Sequence, residues 1–233
     1  MEQGIRESWT SAVVPGKTFA DVGGLWGTVQ EMVTVAARAG ATETTMVDVL
    51  TEDEGGVNLW DRFKARAASF GVTNTRCVMG SIDDPNTPDR IGVIDVVHCN
   101  GVLYHCPHPL HTLQQLRRIT GETLILGTAT IPETVARPAG TVMLAPGTAL
   151  LVPAMTDEQR VVLGDWLGTQ AVGVNWPVAG EWSPDDYRPW WWFFTVGFVS
   201  SLLRIARFDV RNVAGYWDGK ATLYHAEVAP PLT

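Results

Sequence analysis

The feature that most constrains this chain is the stretch Phe19-Ala-Asp-Val-Gly-Gly-Leu-Trp-Gly27, read with the second short apolar run that ends at Asp48. Residues 20–22 read as a buried strand, Gly23, Gly24 and Gly27 as a tight turn, and residues 25–39 as the helix into which the turn opens. Glycine lacks a Cβ and tolerates positive φ, so backbone at such a turn can approach a ligand closely, and the unpaired N–H groups of a helix start point toward it. Asp48, at the end of the next strand, is placed to accept hydrogen bonds from ribose hydroxyls. The glycines do not follow the Gly-x-Gly-x-x-Gly spacing, and Asp21 stands in the strand just ahead of them. That charge opposes a pyrophosphate and suits a ligand with an ammonium group and no phosphate, such as S-adenosylmethionine.

A chain of 233 residues can bury one sizeable core, and one α/β domain spanning residues 1–233 is expected. The net charge of −8 and a pI near 5.0 argue against a nucleic-acid partner, since phosphate backbones are bound mainly by Lys and Arg. A small-molecule acceptor is the expected partner, and a homo-oligomer is compatible with the sequence. No basic-then-apolar signal opens the chain, and charges or prolines break the apolar runs before they reach membrane-spanning length. A cytoplasmic location with no membrane partner is therefore expected, and Cys77, Cys99 and Cys106 are expected to be reduced thiols.

Taken in order, residues 1–16 read as a short leader or lid anchored by Trp9. Strands are expected at 44–49, 74–79, 91–100 and 122–127, with helices at 55–70 and 109–119 between them. Strand and helix alternate with short links, which implies right-handed crossovers and a parallel sheet. The pattern breaks at residues 129–189, rich in Pro, Gly and Trp, with one expected helix at 156–167; so long an insertion after a sheet strand suggests a cap over a substrate. A last helix is expected at 192–206, followed by strands 208–215 and 221–228 joined through Asp218-Gly219 as an antiparallel hairpin.

Five mostly parallel strands with helices between and a final antiparallel hairpin resemble the class I S-adenosylmethionine-dependent methyltransferases, a Rossmann-like α/β fold with a seven-stranded sheet. Asp21-Val-Gly-Gly-Leu-Trp-Gly27 resembles the family's Asp-x-Gly-x-Gly-x-Gly, with Leu25 where the middle glycine usually stands. Val47-Asp48 is a second carrier, and Ile94-Asp-Val-Val-His-Cys-Asn-Gly-Val-Leu-Tyr-His105 is a third. The Gly-Val-Leu-Tyr-His portion is most similar to the subgroup that includes carboxymethyl transfer to tRNA wobble uridine. The resemblance implies that Gly23, Gly24 and Gly27 pass close to the methionine and ribose parts of S-adenosylmethionine, with Asp21 near the ammonium by way of water or backbone. It implies that Asp48 holds the ribose, that Gly80-Ser81-Ile82-Asp83-Asp84 frames the adenine, and that Asn100 faces the methionine carboxylate or ammonium. Ser81 stands where the family commonly has Asp, which leaves open the side chain that reaches the adenine amino group.

Displacement of a methyl group from a sulfonium is in line, so alignment supplies much of the rate, with about 7–11 kcal/mol available from orientation. A hydroxyl acceptor also benefits from a general base, and His105, just after the fourth strand, is the candidate. Tyr104, Trp190 and Trp191 are the candidate substrate-binding residues. Six of the ten tryptophans lie between Trp166 and Trp192, and an aromatic roof would suit a flat, apolar or cationic acceptor. No metal site is expected: His98 and Cys99 point to opposite faces of a strand, and no Cys-x-x-Cys or His-Glu-x-x-His frame is present. The expected function is methyl transfer to a small aromatic or apolar acceptor in small-molecule biosynthesis, at oxygen, with nitrogen or carbon as alternatives. Two further readings stand beside it: a non-catalytic methyltransferase-like binding protein, kept by Leu25 and Ser81, and a tRNA-modifying transferase, opposed by the acidic balance.

Overall fold

The computed structural model describes residues 3–26, 31–53, 55–168, 171–175 and 182–230. Numbered in chain order, seven strands form one sheet in the spatial order β10 (Phe208–Tyr216), β11 (Ala221–Val228), β5 (Thr120–Ala129), β4 (Ile94–Asn100), β1 (Thr18–Val22), β2 (Glu43–Asp48) and β3 (Arg76–Met79). The strands run parallel except β11, which is antiparallel to both β5 and β10. Both faces of the central strands are covered, which is why they read as nearly continuous apolar runs. Ala20, Val22, Val47, Val97 and Leu124 pack on one side. Phe19, Met46 and Val96 pack on the other, against Leu25, Met32, Trp60 and Phe63. The chain passes from β1 outward to β3 and then returns to β4 on the opposite side of β1, so the order reverses between β1 and β4. A crevice at that reversal, outside the carboxyl ends of the strands, is where open α/β sheets bind ligands.

Several boundaries differ from the expectations, each for a local reason. Residues 3–13, expected as part of a leader or lid, form helix α1 (Gln3–Val13), which lies beside β5 and helix α2 (Val33–Arg38). The helix expected from Leu25 begins only at Val33: Leu25 and Trp26 lie in the turn, and two carboxylates hold the backbone on either side of it. Helix α3 (Leu59–Ser69) starts four residues late because the Asn58 side chain accepts from the Asp61 N–H and caps it there. The short α4 (Thr87–Ile91) was not foreseen, whereas α5 (Pro109–Ile119) has the expected bounds, with proline at its first position. The helix expected at 192–206 is two elements. The aromatic run Trp192–Phe194 pairs as strand β9 with β8 (Ala149–Leu151), and α7 (Val196–Ile205) follows Thr195. Bulky aromatics favour an extended, half-buried pairing over a helix turn.

Within 129–189 the structure adds a hairpin of β6 (Thr134–Arg137) and β7 (Gly140–Met143) to the expected helix, α6 (Asp157–Leu167), which Thr156 caps through a reciprocal bond with Gln159. These elements share an apolar cluster with Trp190 and Phe193, separate from the two clusters that flank the sheet. Among the described residues no helix is long and apolar enough to cross a membrane.

Candidate active site

The carboxyl ends of β3, β2, β1, β4 and β5 form one edge, and it gathers most of the residues singled out in the sequence. Val22 pairs in register with Val47 on one side and Cys99 on the other, Asp48 with Met79, and Asn100 with Gly127. The register therefore sets Gly23, Asp48 and Asn100 side by side. Gly23 has a φ of +79°, and a Cβ there would stand 2.2 Å from the Val102 Cγ2, so no other residue fits this turn without displacing Val102. A Cβ on Gly24 would meet the Asp21 Oδ2 at 2.4 Å. Gly27 lies outside the described residues.

Asp21 is buried beneath the turn. Its Oδ1 is 2.7 Å from the His98 Nδ1, and its Oδ2 accepts from the Met32 N–H at 2.7 Å. Asp21 and His98 are direct partners in the β1/β4 register, so strand pairing alone brings the carboxylate and the imidazole together. The carboxyl group thus holds the chain on the far side of the turn to β1 and β4. His98 Nε2 has no partner among the described residues. Cys99, the next residue, packs in the cluster on the opposite face.

Asp48 is also buried, and its two oxygens accept from the Leu25 N–H and the Leu50 N–H, each at 2.9 Å. Burial raises its carboxyl above the ordinary range, and these N–H groups pull the other way. Each carboxylate oxygen has a further lone pair, so the two backbone bonds leave acceptor capacity for a ligand hydroxyl. Leu25, where a glycine was expected, is fully buried against Met32, Met46 and Phe63, while Trp26 is 61% exposed. The departure from the glycine pattern therefore serves packing: Leu25 plugs the core, and its N–H tethers the turn to Asp48.

Beyond β3, Ile82 is buried and Ser81 half-buried, while Val49 and Met79 stand exposed at the ends of β2 and β3. Asp83 belongs to the loop expected to frame the adenine, with no role of its own assigned to it there. Its Oδ2 accepts from the Tyr187 hydroxyl at 3.1 Å, its Oδ1 has no partner among the described residues, and it ties this loop to the end of the insertion. Three carboxylates, Asp21, Asp48 and Asp83, lie close enough to the buried Cys99 thiol to add to the burial that pushes it up. The edge is electronegative.

The aromatic residues lie next to it. Tyr104 is 4.3 Å from His105 and 4.3 Å from Trp190, ring centre to ring centre, and Trp190 also packs on Phe193 and Trp217. Burial pushes the Tyr104 phenol up to about 12. Trp190 is only 6% exposed, so it backs the wall, whereas Tyr104 and the half-buried Trp191 present surface. Trp191 stands edge-on to Trp182 at 5.1 Å and donates its indole N–H to the Asp186 carbonyl, and its backbone N–H donates to the Tyr104 carbonyl. Trp192 turns into the sheet-side cluster instead, where it stacks near Phe194.

His105 corrects one premise. Its Nδ1 is 3.0 Å from the Pro189 carbonyl, which can only accept, so Nδ1 carries the proton and Nε2 the lone pair. Burial lowers its pKa to about 4, outweighing the Pro189 and Arg188 carbonyls. It does not titrate near neutral pH; it is a neutral acceptor there.

Comparison with solved structures places this architecture. Magnesium protoporphyrin IX methyltransferase from Synechocystis PCC 6803, with bound S-adenosylhomocysteine, is 15% identical over 97% of this chain and 82% of that one, with a TM-score of 0.58. The 1,6-didemethyltoxoflavin-N1-methyltransferase from Burkholderia thailandensis, with that compound and S-adenosylhomocysteine bound, is 13% identical over 98% of this chain and 84% of its own, with a TM-score of 0.55. An O-methyltransferase family protein from Burkholderia thailandensis is 12% identical over 97% of this chain and 56% of that one, at 0.58. No protein-family model and no curated protein sequence matches the chain. The chain has the Rossmann-like fold of the class I S-adenosylmethionine-dependent methyltransferases.

Proposed function

We propose that the protein transfers a methyl group from S-adenosylmethionine to a small aromatic or apolar acceptor, at oxygen. The observation that carries the reading is the glycine turn at the strand-order reversal, packed closely on Val102 and set between the Asp21 and Asp48 carboxylates. A pyrophosphate would be repelled there, whereas a ligand with sulfonium and ammonium charges and ribose hydroxyls meets both the charge and the acceptors it requires. Asp48 accepts from the ribose, Gly23 and Gly24 give the amino-acid end its path, and Val49 offers apolar surface for a flat base beside Ser81, with Ile82 packed behind it. Asp21 acts from below by fixing the turn. When bound, the cofactor supplies a methyl group on sulfonium for in-line displacement.

The protein's own part is orientation and exclusion of water. Residues 129–189 cap the acceptor, with Tyr104 and Trp191 as its surface and Trp190 behind them. His105 Nε2, unprotonated at neutral pH, accepts a hydrogen bond from the acceptor hydroxyl and fixes which lone pair faces the methyl group. With a conjugate acid near 4 it mainly orients the hydroxyl, taking the proton only in passing as the O–CH3 bond forms and the C–S bond to S-adenosylhomocysteine breaks, and releasing it to solvent. The free thiols of Cys77, Cys99 and Cys106 support a reducing, cytoplasmic setting.

A binding protein without catalysis is the second reading, favoured by the engagement of both Asp48 oxygens with backbone N–H groups. Thermal unfolding with S-adenosylhomocysteine at about 100 times its dissociation constant should show about 2.7 kcal/mol of added stability. No shift would sink the cofactor assignment. A shift without uptake of labelled methyl by any metabolite of an extract of the source would leave the binding protein.

A further inference from the structure

The turn of the C-terminal hairpin reaches the candidate site from the far edge of the sheet. Tyr216 ends β10, which β11 and β5 separate from β4. Its hydroxyl nevertheless donates to the Asn100 Oδ1 at 2.6 Å. Gly127, on the strand between them, makes this possible: a Cβ there would stand 1.9 Å from the Asn100 Oδ1 and 2.9 Å from the Tyr216 oxygen. Immediately after Tyr216 the backbone enters an uncommon path, with φ of +52° at both Trp217 and Asp218 and +77° at Gly219. That path turns the Trp217 ring to within 6.3 Å of Trp190. One residue of the tip thus grips the end of β4, and the next packs on the aromatic wall.

We propose that Tyr216 is a positioning residue for the amino-acid end of the cofactor and acts through the Asn100 amide. With Oδ1 held by the tyrosine O–H, the amide turns its Nδ2 away from β5 and offers N–H donors at the end of β4. Donors of that kind read a carboxylate and disfavour an ammonium, so the choice left open by sequence falls to the methionine carboxylate. The phenol is suited to the task, because burial pushes it up and keeps the O–H a donor at every working pH. This inference rests on the cofactor assignment made above, and it extends that assignment to a residue more than a hundred positions from the glycine turn.

Calorimetric titration with two probes tests it: S-adenosylhomocysteine, which has the amino-acid end, and 5′-methylthioadenosine, which lacks it. Tyr216→Phe is expected to weaken S-adenosylhomocysteine about tenfold, a loss of about 1.4 kcal/mol, and to leave methylthioadenosine unchanged. In an Asn100→Ala background the same substitution should cost nothing further. Asn100→Asp, which keeps an acceptor for the tyrosine but removes the N–H donors, should lose S-adenosylhomocysteine selectively, and it tests the amide even if Tyr216→Phe folds poorly. Wild-type affinity in Tyr216→Phe, equal loss of both probes, or full additivity with Asn100→Ala would overturn the proposal while leaving the cofactor assignment intact. A wild-type protein that binds neither probe would remove the assignment itself.

Discussion

The two halves of the candidate site are built by different means. At the ends of β1, β2 and β4 the geometry is set by backbone: strand register puts Asp21 beside His98, and two carboxylates hold the N–H groups of Leu25 and Met32. Around Tyr104 it is set by side chains from distant segments, with Trp190 and Trp191 following the insertion and Trp217 coming from the terminal hairpin. Hydrogen bonds and positive φ tolerate little change, so the first half should fail sharply when altered. Aromatic packing is adaptable in detail, so the second should respond by degrees and change which acceptor fits rather than whether the cofactor binds.

The sharpest failure is expected at Gly23. Replacement by Ala sets a Cβ against Val102 in a left-handed conformation, and should weaken S-adenosylhomocysteine binding by more than about a hundredfold and cost about 1–3 kcal/mol of stability. Adding Val102→Ala removes the clashing methyl but not the backbone strain, so titration of the double variant should show partial recovery. Full recovery would mean that sterics alone, and not φ, require glycine.

Asp21→Asn should come next. The carboxamide carries no charge and has one acceptor oxygen where Asp21 uses two, and urea unfolding should show a loss of about 1.5–3 kcal/mol. Cofactor affinity should fall with it, because the released Met32 N–H frees the far side of the turn. An Asp21→Asn protein as stable as the wild type would show that the turn is held by something other than this carboxylate.

The same contrast explains what could be read from the chain without coordinates. The sheet, the glycine turn and Asp48 were legible because they depend on local pattern: apolar strands covered on both faces, glycine at a turn, an acid at a strand end. The Asp21–His98 pairing was within reach too, since both residues face the same side of adjacent parallel strands, but it needed the register. Leu25 was misread as helix because its burial depends on Met46 and Phe63, residues of β2 and α3. The Tyr216–Asn100 and Tyr187–Asp83 contacts were invisible, for each joins residues across a long sequence separation that no spacing rule connects.

On the aromatic side, Trp191→Ala should raise the KM for the acceptor about tenfold while the dissociation constant for S-adenosylhomocysteine stays within twofold, since truncation of one aromatic contact costs on the order of 1–2 kcal/mol. Parallel loss of both ligands would merge the two halves into one cooperative unit and end the distinction.

The smallest effect, and the one that most directly tests how the aromatic wall tunes its histidine, concerns pH. His105 is neutral in the folded protein down to about 4, whereas in the unfolded chain it takes up a proton near 6.5. Between those values the unfolded state binds more protons than the native state, so stability must fall as pH falls through this window, by about 1–2 kcal/mol once the partial exposure of the ring is allowed for. His105→Gln keeps a donor for the Pro189 carbonyl and cannot titrate. Other groups contribute their own slopes, so the quantity to compare is the drop in urea midpoint between pH 7 and 4.5 in the two proteins, which should be smaller in the variant. The same displacement predicts that kcat/KM of the wild type shows no break near 6.5 from this group. Equal drops in both proteins would mean that the wall of Tyr104 and Trp190 leaves His105 as wet as a surface histidine, and the neutral acceptor assigned to it would go with that wall.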